Sequence, residues 1–299
     1  MNRVLARVSL MLLALWLPTS VLAADDDADE AVLDQLDQAR ERGVLEVAVY
    51  RDFPPYSYPQ QGKYVGADVD LAAALARKIG LPLKVRPIMP GDDADDDLRN
   101  NIWKGHYLGG GVADVMLHVG MDPQYVARQD KADLFSPYFR EAVSIAYRPG
   151  RYKNLTTPMA LVGTKVGVEL GSISDYYMSG AYGGRLRTSA VRLPTTQAAV
   201  QALADDEIDS VMAPRGELQG LMKMIGGLSI ETRTTEFQGL FRTAWDVGIA
   251  IKAGNPKLKA AIQIALQELQ TSGELKSIYA AYGVDYVAPE MASTAAASH

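Results

Sequence analysis

Apolar runs of strand length alternate along this chain with stretches whose apolar residues recur at helical spacing. Val44-Leu-Glu-Val-Ala-Val49 reads as a strand, and Leu71, Leu75 and Ile79 share one stripe of a helix over Val69 to Ile79. A second strand is expected at Leu83 to Ile88, a helical segment at about Asp97 to Tyr107 and a third strand at Val112 to Leu117. The rhythm then repeats: Lys165-Val-Gly-Val-Glu169, a helix from Ser174, an extended stretch from Leu186 to Leu193, a helix from Thr196 to Leu203, and Ile208 to Met212. Alternation of this kind favours parallel strands with helices on the sheet faces, here in two α/β units.

Two long extended segments frame the second unit, Ser136 to Tyr147 before it and Phe237 to Ile251 after it. Asn255-Pro256 then opens an amphipathic helix carrying Leu258, Ile262, Leu266 and Leu269, ended by Ser272-Gly273, and a last helix covers about Leu275 to Tyr282. In the simplest arrangement the chain leaves the first unit, builds the second and returns, so that two crossing strands make a hinge. The corresponding division is 43–142 plus 240–290 for a discontinuous first lobe and 143–239 for the second.

Composition adds the setting. A chain of 299 residues, 48% of them hydrophobic, can bury more than one core. Arg3 and Arg7 precede an apolar stretch from Leu10 to Leu17, and Val21-Leu22-Ala23 supplies small residues, so 1–23 reads as a cleaved secretory signal too short to span a membrane. Its loss removes two arginines and no acid, taking the formal charge from −6 to −8, which disfavours nucleic-acid binding. An acidic segment and a helix follow over 24–42, and 291–299 reads as a disordered tail. Cysteine is absent, and His106, His118 and His299 have no metal-ligand spacing, so neither thiol chemistry nor a metal or cofactor site is expected. Asp93, Asp95 and Asp97 alternate as in a calcium loop, but Leu98 and Lys104 stand where its glycine and bidentate glutamate belong, which favours a solvated helix start.

Gly43-Val-Leu-Glu-Val-Ala-Val, Phe53-Pro-Pro-Tyr56, Gly66-Ala-Asp68-Val-Asp70-Leu, Phe135-Ser-Pro-Tyr138, Val166-Gly-Val-Glu-Leu-Gly171-Ser172 and Trp245-Asp-Val-Gly248-Ile-Ala resemble, in order, the landmarks of family 3 extracellular solute-binding proteins. The resemblance runs from about Gly43 to Gly283. It implies an α/β, two-lobed type II periplasmic-binding-protein fold, each lobe a mixed sheet flanked by helices, the lobes closing on a ligand by hinge motion.

The resemblance also carries candidate site residues. Tyr56 matches the aromatic that stacks over the ligand, or else packs on the preceding prolines. Arg128 stands in the region of the carboxylate-binding arginine, one residue further than usual from Phe135, and Met121-Asp122-Pro123 and Tyr125 replace the expected hydroxyl residues. Ser172 and Ser174 match a helix N-terminus that receives an anionic group, although Ser before a helix is also an ordinary cap. Ala213-Pro214 falls where the family's second carboxylate receives an ammonium, so an α-amino acid would lose its charge partner there. His118 and Asp122 could form a base or sensing pair, or a strand-end histidine beside a helix cap.

The stretch Gly91 to Met116, with Asp-Asp-Asp-Leu-Arg and Gly-Gly-Gly-Val-Ala-Asp-Val-Met, resembles the quinoprotein-dehydrogenase-associated, MoxJ-like branch of these proteins. That branch implies a non-catalytic periplasmic accessory of a PQQ-dependent alcohol dehydrogenase and its cytochrome c, with Trp103, Lys104, His106 and Tyr107 as partner-binding candidates. The alternatives are a monomeric substrate-binding component of an ABC importer, presenting a small anion between Arg128 and Ser172/Ser174 to its permease, and a binding-protein-fold dehydratase using His118 and Asp122.

Overall fold

The computed structural model describes residues 33–153, 155–226, 230–240 and 242–290. The signal segment expected at 1–23 and the tail at 291–299 lie outside the described residues. Helix α1 (Gln35–Arg42) begins where the Asp34 carboxylate accepts the Leu36 amide and ends at Gly43, which is left-handed. Strand β1 (Leu45–Tyr50) leads to a hairpin that the apolar pattern does not predict, β2 (Tyr58–Gln60) and β3 (Lys63–Val65). Helix α2 (Ala67–Ile79) and β4 (Leu83–Ile88) follow at the expected positions.

The helix expected up to Tyr107 is shorter. It consists of α3 (Ala94–Leu98) and a π-helical turn, Arg99–Trp103. Gly105, Gly109, Gly110 and Gly111 all have φ between 68° and 102°, so the chain leaves the helix immediately after Trp103. The next strand, β5 (Val115–Gly120), starts later than Val112, because Asp114 is drawn into the preceding turn. Its buried carboxylate takes a two-pronged bond from Arg42 at 2.7 Å and the Glu46 amide at 2.9 Å.

The remaining elements are α4 (Pro123–Ala127), β6 (Ala132–Tyr147), β7 (Val166–Glu169), α5 (Ile173–Gly184), β8 (Ala190–Leu193), α6 (Thr196–Ala204), β9 (Ser210–Pro214), α7 (Arg215–Ile225), β10 (Glu231–Arg233), β11 (Ala244–Lys252), α8 (Pro256–Thr271) and α9 (Glu274–Ala281). The hydrogen-bonded order is β4-β1-β5-β11-β6-β9-β7-β8, with β10 also on β6. On either side of β6 the outer strands are parallel and the inner ones antiparallel, so each half is a mixed sheet. Strand β6 belongs to both halves: from Ala132 to Ala142 it pairs with β11, and from Val143 to Tyr147 with β9. The return crossing is less regular, since β11 begins only at Ala244, opposite Ala142.

Each half buries apolar side chains on both of its faces. In the first, Leu71, Leu75, Leu258, Ile262 and Tyr279 pack α2, α8 and α9 against Val47, Leu117 and Ile249, while Leu98, Ile102 and Met116 fill the opposite face. In the second, Val166, Val168, Tyr177 and Met178 form one core and Val200, Leu203, Leu218 and Leu221 the other. Trp245 packs against a core of each half.

Helix α7 is the element that brings the second half against the first, and two glycines one turn apart permit the approach. A Cβ on Gly216 would lie 2.1 Å from the Tyr56 hydroxyl, and one on Gly220 would lie 2.3 Å from the Pro55 ring. Gly220→Ala is therefore expected to lower stability by about 1–3 kcal/mol through overpacking, despite alanine's better helix propensity. Urea unfolding would check this, and an unchanged or raised midpoint would contradict the contact.

Candidate functional site

A cavity of about 660 Å3 lies between the two halves. The first half contributes the turn after β1, with Asp52, Phe53 and Pro54, and the β2 residues Tyr58 to Gln60; the second contributes the ends of β7 and β9 and the starts of α5, α6 and α7. Trp245 closes it at the crossing. Strand ends and helix starts converge here because loops at that edge of an α/β sheet leave a crevice.

The turn after β1 places its two aromatics differently from expectation. Tyr56 is fully buried and does not line the cavity; its hydroxyl donates to Glu141 Oε2 at 2.6 Å. Burial, with the Glu141 charge next to it, pushes that phenol's pKa well above its ordinary value. Phe53 is the aromatic at the cavity wall, braced by Tyr56 with ring centroids 4.9 Å apart and by the His118 ring at 5.0 Å. The cyclic hydrogen-bonded turn from Phe53 to Ser57 explains the exchange, since the Phe53 amide donates to Ser57 O at 2.8 Å and fixes which ring turns inward.

His118 and Asp122 are not partners. His118 has left-handed backbone (φ 61°), and its Nδ1 lies 2.9 Å from Asp68 Oδ2, with the Tyr138 hydroxyl donating to Asp68 Oδ1 at 3.3 Å. Asp122 instead caps α4, accepting the Tyr125 amide at 2.8 Å, and pairs with Arg242. The Tyr125 amide, with Arg242 beside it, holds the Asp122 carboxyl below the usual carboxylate range. The pair required by a His118/Asp122 dehydratase is thus absent, because each residue is committed elsewhere.

Arg128 also departs from expectation. It is exposed, 3.5 Å from Asp95, with its guanidinium 4.9 Å from the Tyr125 ring, and it does not line the cavity. The extra residue before Phe135 leaves it at the end of the short α4, pointing to the acidic turn. Asp93, Asp95 and Asp97 diverge as well: Asp93 caps α3, Asp95 meets Arg128, and the inward Asp97 accepts from Tyr50 and Gly91.

In the second half Ser172 lines the cavity and caps α5 at Asp175, while Ser174 is buried in the first helical turn with no hydrogen-bond partner for its hydroxyl. Ala213 lines the cavity at the end of β9. Carboxylates not anticipated from the sequence accompany them. Glu169, ending β7, accepts the Thr196 amide at 2.9 Å and its hydroxyl at 2.8 Å. Glu217, in the first turn of α7, lines the same wall near Thr196. Among the described residues lining this cavity, the charged ones are Asp52, Glu169 and Glu217. A wall so charged repels the anion expected between Arg128 and Ser172/Ser174.

Trp103 is half-buried against the core of the first half, and Lys104, His106 and Tyr107 follow it into an exposed loop. That loop is tied to β4 by Arg86, which donates to Gly111 O at 3.1 Å, and none of its residues lines the cavity.

Comparison with known proteins follows this geometry. Among solved structures, an ancestral cationic amino acid solute-binding protein superposes with a TM-score of 0.67 at 20% identity, covering 84% of this chain and 100% of that one. The chain has the fold of the two-lobed periplasmic binding proteins. An amino acid ABC transporter substrate-binding protein from Streptococcus pneumoniae, solved with L-arginine, gives a TM-score of 0.60 at 18% identity, covering 85% and 100%. Residues 45–103 match the model of the bacterial extracellular solute-binding proteins, family 3. The L-cystine-binding protein TcyJ of Escherichia coli (strain K12) is 24% identical over 253 residues, 84% of this chain and 85% of that protein. Cyclohexadienyl dehydratase of Pseudomonas aeruginosa is 43% identical over 67 residues, 21% of this chain and 25% of the enzyme. No helix among the described residues is long and apolar enough to cross a membrane.

Glu217 carries a measurable signature of this binding-protein cleft. Burial, with the charges of Glu141 and Glu169 nearby, pushes its carboxyl from 4.5 up to about 8. Over that interval the folded protein holds a proton that the unfolded chain has released. The contribution is present in full below about pH 4.5 and is lost as pH rises through about 8. The thermal midpoint of the ligand-free protein should therefore fall across this window, and Glu217→Gln should flatten that fall; equal slopes in the two proteins would refute the assignment.

Proposed function

We propose that this protein captures a small, amino-acid-like solute carrying a cationic group and delivers it to an ABC permease. The observation that carries the reading is the cavity itself: it lies between the lobes, and its charged lining is Asp52, Glu169 and Glu217. Ala213-Pro214 lacks the carboxylate expected at the end of β9, but Glu217, one helical turn on, supplies one to the same wall. An ammonium or guanidinium placed there would be desolvated against paired carboxylates and a Phe53/Trp245 apolar rim, the combination in which a charge-assisted hydrogen bond is strong. The names of the similar proteins, which include a cationic amino acid binder and an amino acid ABC transporter component, favour the same class.

The dehydrogenase-accessory role rests on the resemblance of one segment and a surface loop. Neither the cavity chemistry nor these relatives adds support to it. The dehydratase resemblance extends over 67 residues.

A thermal-shift series with L-arginine, L-lysine, L-histidine, L-cystine, L-glutamate and succinate tests the reading. Cationic members are expected to raise the midpoint, by the equivalent of about 2.7 kcal/mol at a hundredfold excess over Kd, and the acids to leave it unchanged. Glu217→Gln should weaken the cationic ligands tenfold or more, since a hydrogen bond to a charged partner contributes about 1.5–3 kcal/mol. Because Glu217 must ionise to receive a cation, affinity should climb from pH 6 to 8. Stabilisation by the acids alone would reject the proposal.

A further inference from the structure

A second cavity, of about 310 Å3, lies on the other side of Trp245, which lines both. Its walls include Met121, Pro123, Arg140, Arg242 and Glu290. We propose that Arg242 binds a carboxylate of the solute and that Asp122 is its internal substitute, so that the solute is taken up by exchange with Asp122. The inference rests on the solute-capture reading and adds the second charged group of the solute.

The two arginines differ in how firmly they are held. Arg140 is clamped between the Asp246 carboxylate at 2.8 Å and Glu290 at 2.6 Å, and Asp246 is only 4% exposed. Withdrawing Arg140 would leave a buried, uncompensated charge, which is strongly unfavourable. Arg242 and Asp122 have side chains 37% and 33% exposed, and pairs in that setting contribute little to stability. Arg242 is therefore the exchangeable guanidinium of this cavity.

Asp122 is built to let go of it without disturbing the fold. Oδ1 caps α4 at the Tyr125 amide, whereas Oδ2 meets Arg242. The cap survives when the pair opens. Arg128, the arginine on α4 itself, is unsuited to the task, since it lies against Asp95 and the Tyr125 ring outside both cavities. A solute whose cation rests on Glu169 and Glu217 and whose chain passes Trp245 would bring its carboxylate to Arg242. The cleft would then select a dipolar molecule rather than a simple amine.

The test uses matched pairs that differ by the carboxylate: L-arginine with agmatine, L-lysine with cadaverine, and L-histidine with histamine. Calorimetry on the full-length mature protein, Asp122→Asn and Arg242→Met should show wild type preferring the carboxylate-bearing member of a bound pair at least tenfold. Asp122→Asn, which keeps a capping side chain while removing the competing charge, should tighten that member several-fold and leave the amine unchanged. Arg242→Met should erase the preference without weakening the amine. Equal affinity for both members in wild type, or a preference that survives Arg242→Met, overturns the inference while leaving the cationic reading standing. Loss of the preference in Arg242→Met with no effect of Asp122→Asn overturns the exchange. Binding of no pair at all defeats the cationic reading and this inference together.

Discussion

The buried carboxylate of Glu141 is the contact on which both the lobe arrangement and the cleft chemistry depend. It sits on β6 at the point where that strand stops pairing with β11 and starts pairing with β9, and it is 2% exposed. A carboxylate so placed is tolerable only if donors surround it. The Tyr56 hydroxyl reaches it from the first lobe, the Gly216 amide from the start of α7 and the Ala142 amide from its own strand. The arrangement also sets a negative charge at the N-terminal end of α7, where the helix dipole favours it.

Each neighbour of Glu141 is fixed as a consequence. Tyr56 is held in the core, which leaves Phe53 for the cavity. Gly216 must lack a side chain because the Tyr56 hydroxyl occupies that space, and Gly220 must lack one because Pro55 does. Glu217, the residue after Gly216, is carried to the cleft wall with the Glu141 charge close by, and that charge reinforces the effect of burial in keeping its proton on. One interaction thus joins the lobes, chooses the aromatic of the cleft and tunes its most perturbed acid.

The legible part of this molecule was its periodic part. Apolar alternation gave β1, β4, β7 and the helices α2, α6 and α8 because in those segments burial alone dictates the pattern. Helix α7 was missed because Pro214, Gly216 and Gly220 read as breakers; the glycines are there for a close approach that only the tertiary structure reveals, although Leu218, Leu221 and Ile225 did mark a helical stripe. Missing α7 meant missing Glu217. The positions of Tyr56 and Arg128 failed for another reason: motif position identifies a turn or a short helix but not which side chain faces inward. That is decided by contacts such as Glu141 with Tyr56 and Asp95 with Arg128, 85 residues apart in the first case.

A two-lobed fold admits many ligands, so specificity must come from how few charges are placed and on which side of the rim. In this cleft Trp245 forms the divide. It packs on a core of each lobe and cannot easily be displaced, and it has acids on one side and arginines on the other. Fixed charges of opposite sign across a rigid apolar partition orient a dipolar guest in one direction and leave its reverse with like charges opposed, a penalty that grows as water is excluded. Orientation is therefore enforced as much by repulsion as by attraction. A cleft of this kind needs neither the usual arginine on α4 nor the usual acid at the end of β9, because Arg242 and Glu217 reach the same space from neighbouring positions in the fold.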